Sequence, residues 1–189
     1  MSPHPDEILA EHACGESLTS DVLAAIIREG VDIEAICCRV ARGALDAPRL
    51  DRIVHLSETA FEFARHQHGD DCVAVTLVCR DEIGDPIDIA AWSPPAPLAL
   101  WLGGAAMLGA ENCFAPRISE SLLIHEGPLE WLRAACRGVV VVNPEKARSL
   151  LYRAQPLEVA SVAHGRDLRR MMEVKPPRIL VSSNWRTAA

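Results

Sequence analysis

The 189-residue chain has no apolar run near the roughly 18 residues that a membrane helix needs, so no spanning segment is expected. Its start, Met1 to Glu16, has neither a basic stretch nor an apolar one. No secretory leader is expected, and the chain should stay in the cytoplasm. None of the seven cysteines stands in a C-x-x-C spacing, and the number is odd. Both facts argue against a disulfide framework or a zinc knuckle. Cys37, Cys38, Cys79, Cys113 and Cys136 lie in apolar contexts and read as small core side chains. Aromatic residues make up only 4%, so the basic positions are not interleaved with the stacking platforms of single-strand binders. No Gly-x-Ser-x-Gly elbow occurs, and Gly103-Gly104 lacks the flanking pattern of a phosphate loop.

What remains is globular. Hydrophobic residues at 49% and charged residues at 24% leave room for a good core and none for wholesale disorder. The net charge of −7 is unevenly spread: Met1 to Pro95 carries 18 acidic and 7 basic residues, Ala96 to Ala189 8 acidic and 12 basic. The halves therefore have opposite sign. That suits either mutual attraction or a second half that faces nucleic acid.

The clearest local signal is Ser121 to Asn143. Leu122 to Ile124 and Val139 to Val142 are short apolar runs typical of strands buried on both faces. Gly127-Pro128 opens a helix between them and Gly138 ends it. The same alternation continues through a helix begun by Asn143-Pro144, a strand from Leu157 to Val162, a helix from Arg166 to Glu173 and a strand from Arg178 to Ser182. Upstream, Cys72 to Arg80 and Ile87 to Trp92 read as a β-hairpin with an acidic loop, and Asp81, Glu82, Asp85 and Asp88 as solvated turn carboxylates. Ser93 to Pro97 is a clear break, and Leu98 to Leu108 reads as a small-residue helix. The periodicity before the hairpin predicts helices over Asp6 to Ala13, Asp21 to Arg28, Ile33 to Ala41 and Leu50 to Arg65.

These elements predict an α/β (mixed α+β) fold. A central, mainly parallel sheet carries a β-hairpin over residues 71–189, with an N-terminal helical annex over residues 1–70, all in one compact unit. Three helices in succession also invite a helix-turn-helix reading, with Arg49 and Arg52 presented to DNA. The acidity of that half opposes it, and a bundle packed on the sheet is preferred.

Three clusters could carry chemistry. His66-Gln67-His68-Gly69-Asp70-Asp71 resembles the His-x-His-x-Asp-His run of the metallo-β-lactamase-like hydrolases. That resemblance makes His66, His68 and Asp70 candidate metal ligands, zinc being the implied ion, although Asp71 stands where that family has its last His. An ordinary helix C-terminus is the alternative. Leu123-Ile124-His125-Glu126-Gly127 resembles the first strand of the toprim family, which ends in a Glu-Gly whose glutamate does acid/base work. The resemblance implies Glu126 as a catalytic residue and magnesium as cofactor. The chain departs from it in having no Asp-x-Asp pair after a later strand, which implies a degenerate site. Arg166, Arg169 and Arg170 share one helix face, with Arg148 and Arg153 on the preceding helix, and could meet phosphate or nucleic acid.

With no complete catalytic set in view, the first expectation is a non-enzymatic cytosolic accessory or interaction protein. It would need no cofactor and would have a protein partner, with nucleic acid approached through the basic C-terminal half and no membrane involved. A toprim-like nucleic-acid-processing enzyme using Glu126 is the alternative, and a DNA-binding module the second. The texture of DEIGDPIDIAAW, WLGGAAMLG and PLEWLRAACRGVVVV is also similar to short proteins encoded in bacterial prophages and mobile elements. That similarity implies a setting of phage or plasmid DNA metabolism.

Overall fold

A computed structural model describes residues 3–41, 46–64, 69–94, 96–114, 121–154 and 156–173. The chain opens with helix α1 (Pro5–Ala13), capped reciprocally by His4 and Glu7, and a short edge strand β1 (Glu16–Ser17). Two amphipathic helices follow, α2 (Ser20–Arg28) and α3 (Ile33–Ala41). Thr19 caps the first, and Asp32 accepts the Ala35 N–H at the start of the second.

Next come β2 (Arg49–Ser57), β3 (Ala60–Phe63), β4 (Cys72–Arg80), β5 (Pro86–Trp92) and β6 (Ala99–Leu100). They close into a five-stranded barrel because β2 is long enough to serve two neighbours. Its first half, Arg49 to Ile53, pairs with β4, and its second half, Ile53 to Ser57, pairs with β3. Every pairing in the barrel is antiparallel except β3 with β6.

The α+β class is as expected, but the larger sheet is this closed, mostly antiparallel barrel and not a central parallel one. The expected helix over residues 50–65 is replaced by β2 and β3, so the N-terminal helices number three, none of them covering that stretch, among the described residues. The reason lies in which faces are buried. Leu50 and Ile53, three apart, look like one helix face, yet on a strand they point to opposite sides. Ile53 joins Phe61, Ala74, Ile89, Ala91 and Ala99 in a cluster fed by all five strands, the barrel interior, and Ile8 of α1 packs into it. Leu50 instead lies with Val75, Leu77, Ala90 and Leu100 on the outer face, against Ile26 and Ile36 of α2 and α3. A strand buried on both faces loses the period of two that would have announced it.

The break at residues 93–97 joins β5 to β6 within the barrel. The expected helix over Leu98 to Leu108 is also absent: β6, a loop and β7 (Met107–Leu108) occupy it. Asp88, fully buried on β5, holds that loop. Its Oδ1 accepts the Ile89 and Leu102 N–H groups at 2.8 and 2.9 Å, and its Oδ2 those of Gly104 and Ala105 at 2.6 and 3.2 Å. Asp88 is therefore a structural carboxylate and not a solvated one. Of its acidic neighbours, Asp81 Oδ1 accepts the Ile83 and Asp85 N–H groups in the hairpin turn, and Glu82 pairs with Arg153.

The second layer is a four-stranded sheet in the order β10-β8-β9-β7, built from β8 (Leu122–His125), helix α4 (Pro128–Arg133), β9 (Val139–Val141), helix α5 (Pro144–Arg153), β10 (Leu157–Val159) and helix α6 (Val162–Met172). Here the parallel expectation holds: β10, β8 and β9 run parallel, and only β7 is reversed. Gly138, at φ +80°, makes the sharp entry to β9; a Cβ there would come within 2.4 Å of the Leu123 carbonyl. Trp131 and Leu132 of α4 face the barrel-side core, whereas Ala147, Leu151 and Leu168 of α5 and α6 form a separate core on the other side of the sheet. The strand expected over Arg178 to Ser182 lies outside the described residues.

Candidate functional site at the ends of the parallel strands

Helices that leave neighbouring parallel strands towards opposite faces open a crevice at the strands' carboxyl ends. Here β8 is followed by α4 on one face, and its neighbour β10 by α6 on the other. Glu126 directly follows β8, and Ser161 follows β10 as the N-cap of α6. The Ser161 hydroxyl donates to Glu126 Oε1 at 3.1 Å and accepts the His164 N–H at 3.1 Å, as a single hydroxyl can. His164, one turn into α6, places Nδ1 3.9 Å from the same Glu126 oxygen. Its imidazole is 16% exposed, and Nδ1 has no hydrogen-bond partner among the described residues, whereas the Glu126 side chain is 61% exposed. A second tie binds the same two strands, from the Ser121 hydroxyl to Glu158.

Glu126 thus stands at the carboxyl end of a parallel strand, as the sequence placed it. Ser161 and His164 were missed as site residues. Ser161 as N-cap starts α6 at Val162, four residues before the expected Arg166, and the strand ends at Val159 and not at Val162. His125 takes no part, since its Nε2 lies 2.8 Å from the Arg137 carbonyl.

The donors in the crevice do not fit magnesium. One carboxylate, already engaged by a hydroxyl, and one imidazole fall short of the several oxygens a hard cation gathers. Among the described residues no three His, Cys, Asp or Glu side chains group as a metal-holding set. His66 and His68 lie outside the described residues. Asp70 is an exposed turn residue, and its neighbour Asp71 is bound by Arg52 at 2.7 and 2.8 Å.

The basic face is narrower than the sequence suggested. Arg166, Arg169 and Arg170 are exposed on α6, with Arg170 paired to Asp167 at 3.2 Å. Arg148 donates to the Met171 carbonyl at the far end of α6, and Arg153 pairs with Glu82 and stacks on Phe114. Neither is free for phosphate. Arg49 and Arg52, the residues of the helix-turn-helix reading, sit on β2, bound to the Gly15 carbonyl and to Asp71.

Among the thiols, Cys79, Cys113 and Cys136 are buried as expected, and Cys37 is exposed. Burial, seconded by Glu111 and Glu82, pushes the Cys113 thiol up to about 12, which removes it as a nucleophile. No helix among the described residues is long and apolar enough to cross a membrane. Comparison with protein families, curated proteins and solved structures gave no match.

Proposed function

We propose that this chain is a non-enzymatic accessory protein of nucleic-acid metabolism, of the phage or plasmid kind, that works by contact with another macromolecule. Its parallel layer is a toprim-like half whose site is degenerate. The observation that carries this reading is the hydrogen bond from Ser161 to Glu126. Where the toprim resemblance calls for carboxylates after a later strand, the neighbouring strand end supplies a hydroxyl and an imidazole, and the hydroxyl occupies the glutamate. Glu126 then works as a strand-end tie, not as an acid or base. Titration calorimetry with magnesium and with manganese tests it: no saturable binding that depends on Glu126 is expected. Millimolar-or-tighter binding that vanishes in Glu126→Gln would contradict it.

A second reading, DNA binding through α6, is favoured by Arg166 and Arg169, which are exposed and have no partner among the described residues. It requires a salt-dependent affinity for duplex DNA whose log–log slope falls by about one per arginine removed. Gel-shift titrations of Arg166→Ala/Arg169→Ala across salt concentrations decide it.

A further inference from the structure

The barrel closes through pairings among β2 to β6 alone, so helix α1 adds a cover to it and no strand contact. Two residues of α1 are buried, one turn apart: Ile8, 1% exposed in the barrel's interior cluster, and His12, 4% exposed. A nine-residue helix is too short to stand by itself in water, so α1 depends on these contacts. Just beyond it the chain is anchored. The Gly15 carbonyl accepts from Arg49 at 3.2 Å, and β1 pairs with β2 through Glu16 and Ser17.

His12 is held by a hydrogen bond from Nε2 to the Thr76 carbonyl of β4 at 3.2 Å. A carbonyl only accepts, so Nε2 carries the proton of the neutral ring and a second proton goes to Nδ1. Nδ1 has no hydrogen-bond partner among the described residues. The charged groups that face the ring are Asp46 and Arg49, before and at the start of β2, and Asp51 within it. Asp46 is bound by Arg80 of β4 at 2.6 Å, and Asp51 Oδ2 is buried with no hydrogen-bond partner, so neither carboxylate bonds the imidazole. Glu16 of β1 acts on Asp51, and the ionisable residue of β5, Asp88, is engaged by the loop after β6. An imidazolium at this place is a buried charge without a bonded partner, whereas on a detached helix it stands in water.

We infer that α1 is an acid-released cover: when His12 takes up a proton the helix leaves the barrel end, turning at Gly15, while the five strands stay closed. Opening uncovers the apolar cluster that Ile8 fills. The sign follows from burial, which lowers the imidazole below its ordinary 6.5 in the closed form. The open form binds the proton more readily, so closure is fully favoured above pH 6.5 and loses ground as pH falls from there to the lower closed value. Asp51 works in the opposite sense, because burial raises its carboxyl.

Hydrogen–deuterium exchange of the full chain between pH 7 and pH 5, corrected for the intrinsic exchange rate, tests the inference. Below pH 6.5 the protection of the α1 amides is expected to fall by up to about tenfold per pH unit, one proton being taken up, while the amides of β4 and β5 keep theirs. His12→Gln, which keeps a donor for Thr76, should hold α1 protection constant, and Asp51→Asn should retain the fall. Protection of β4 and β5 reports whether each variant folds. Should His12→Gln fail to fold, the wild-type protein decides, since its fall must track the NMR titration of the His12 imidazole. Protection of α1 that stays flat, that falls together with β4 and β5, that does not follow the His12 titration, or that falls as steeply in folded His12→Gln would each overturn the inference.

Discussion

Ser161 Oγ and Glu126 Oε1, 3.1 Å apart, join the ends of two neighbouring parallel strands, and the same hydroxyl caps α6. A double-mutant cycle separates the two roles. Ser161→Ala loses both the cap and the tie and should cost about 1–2 kcal/mol. Glu126→Gln, which can still accept the hydroxyl, should cost under about 0.5 kcal/mol, since the carboxylate is largely exposed. Urea unfolding of the single and double variants, including Glu126→Ala, should show a coupling of about 0.5–1 kcal/mol between the positions.

Loss of the fully buried Asp88 carboxylate should damage the fold severely. Each oxygen accepts two backbone N–H groups; three of the four, from Leu102, Gly104 and Ala105, lie in the loop that leads from the barrel to the second sheet, and the fourth comes from Ile89 on β5. Asp88→Ala leaves buried donors without acceptors and should destabilise by about 3–5 kcal/mol. Asp88→Asn turns an N–H₂ towards two of those donors and should cost roughly 2 kcal/mol. Urea midpoints give both values, and an Asn variant as stable as wild type would refute this role.

The ordering of these effects shows what the sequence could announce. The alternation from Leu122 to Met172 was legible because β8 and β9 are short apolar runs and α5 carries its own cap, Asn143; the start of α6 was not, because Val162 reads as the end of an apolar strand although Ser161 caps the helix there. The hairpin of β4 and β5 was legible for similar local reasons. Barrel closure was not, since it depends on β2 meeting both β3 and β4, pairings that no local period records. Residues 98–108 misled because small apolar residues fit a helix, and only Asp88, remote in sequence from that loop, decides otherwise. At the site, Glu126 was visible from its strand end, whereas His164 became part of it through the fold that brings α6 beside β8.

A pH dependence follows from the barrel end. Burial lowers the His12 imidazole below its ordinary 6.5, outweighing the opposing pull of the Thr76 carbonyl and of Asp46 and Asp51. Its Nε2 lies 3.2 Å from that carbonyl. The unfolded chain binds this proton more readily, so the stability contribution is full above pH 6.5 and is lost as pH falls through the lower folded value. Asp51 runs the other way. Burial raises its carboxyl, so its contribution is full below 3.8 and is lost as pH rises through the raised folded value. His12→Gln, which keeps a donor for Thr76, should flatten the stability profile between pH 7 and 5. Asp51→Asn should stabilise at pH 7, with the gain shrinking towards pH 4. Thermal melts in matched buffers read both, and parallel profiles for wild type and His12→Gln would contradict the assignment.

On the proposed reading Glu126 ties two strands and does no chemistry. Its most direct test is an assay of labelled single-stranded and duplex DNA, with nucleotides, in magnesium and in manganese, comparing wild type with Glu126→Gln at high enzyme concentration. Neither protein is expected to give cleavage or nucleotidyl transfer above the buffer control. Product formed by wild type and lost in Glu126→Gln would contradict it.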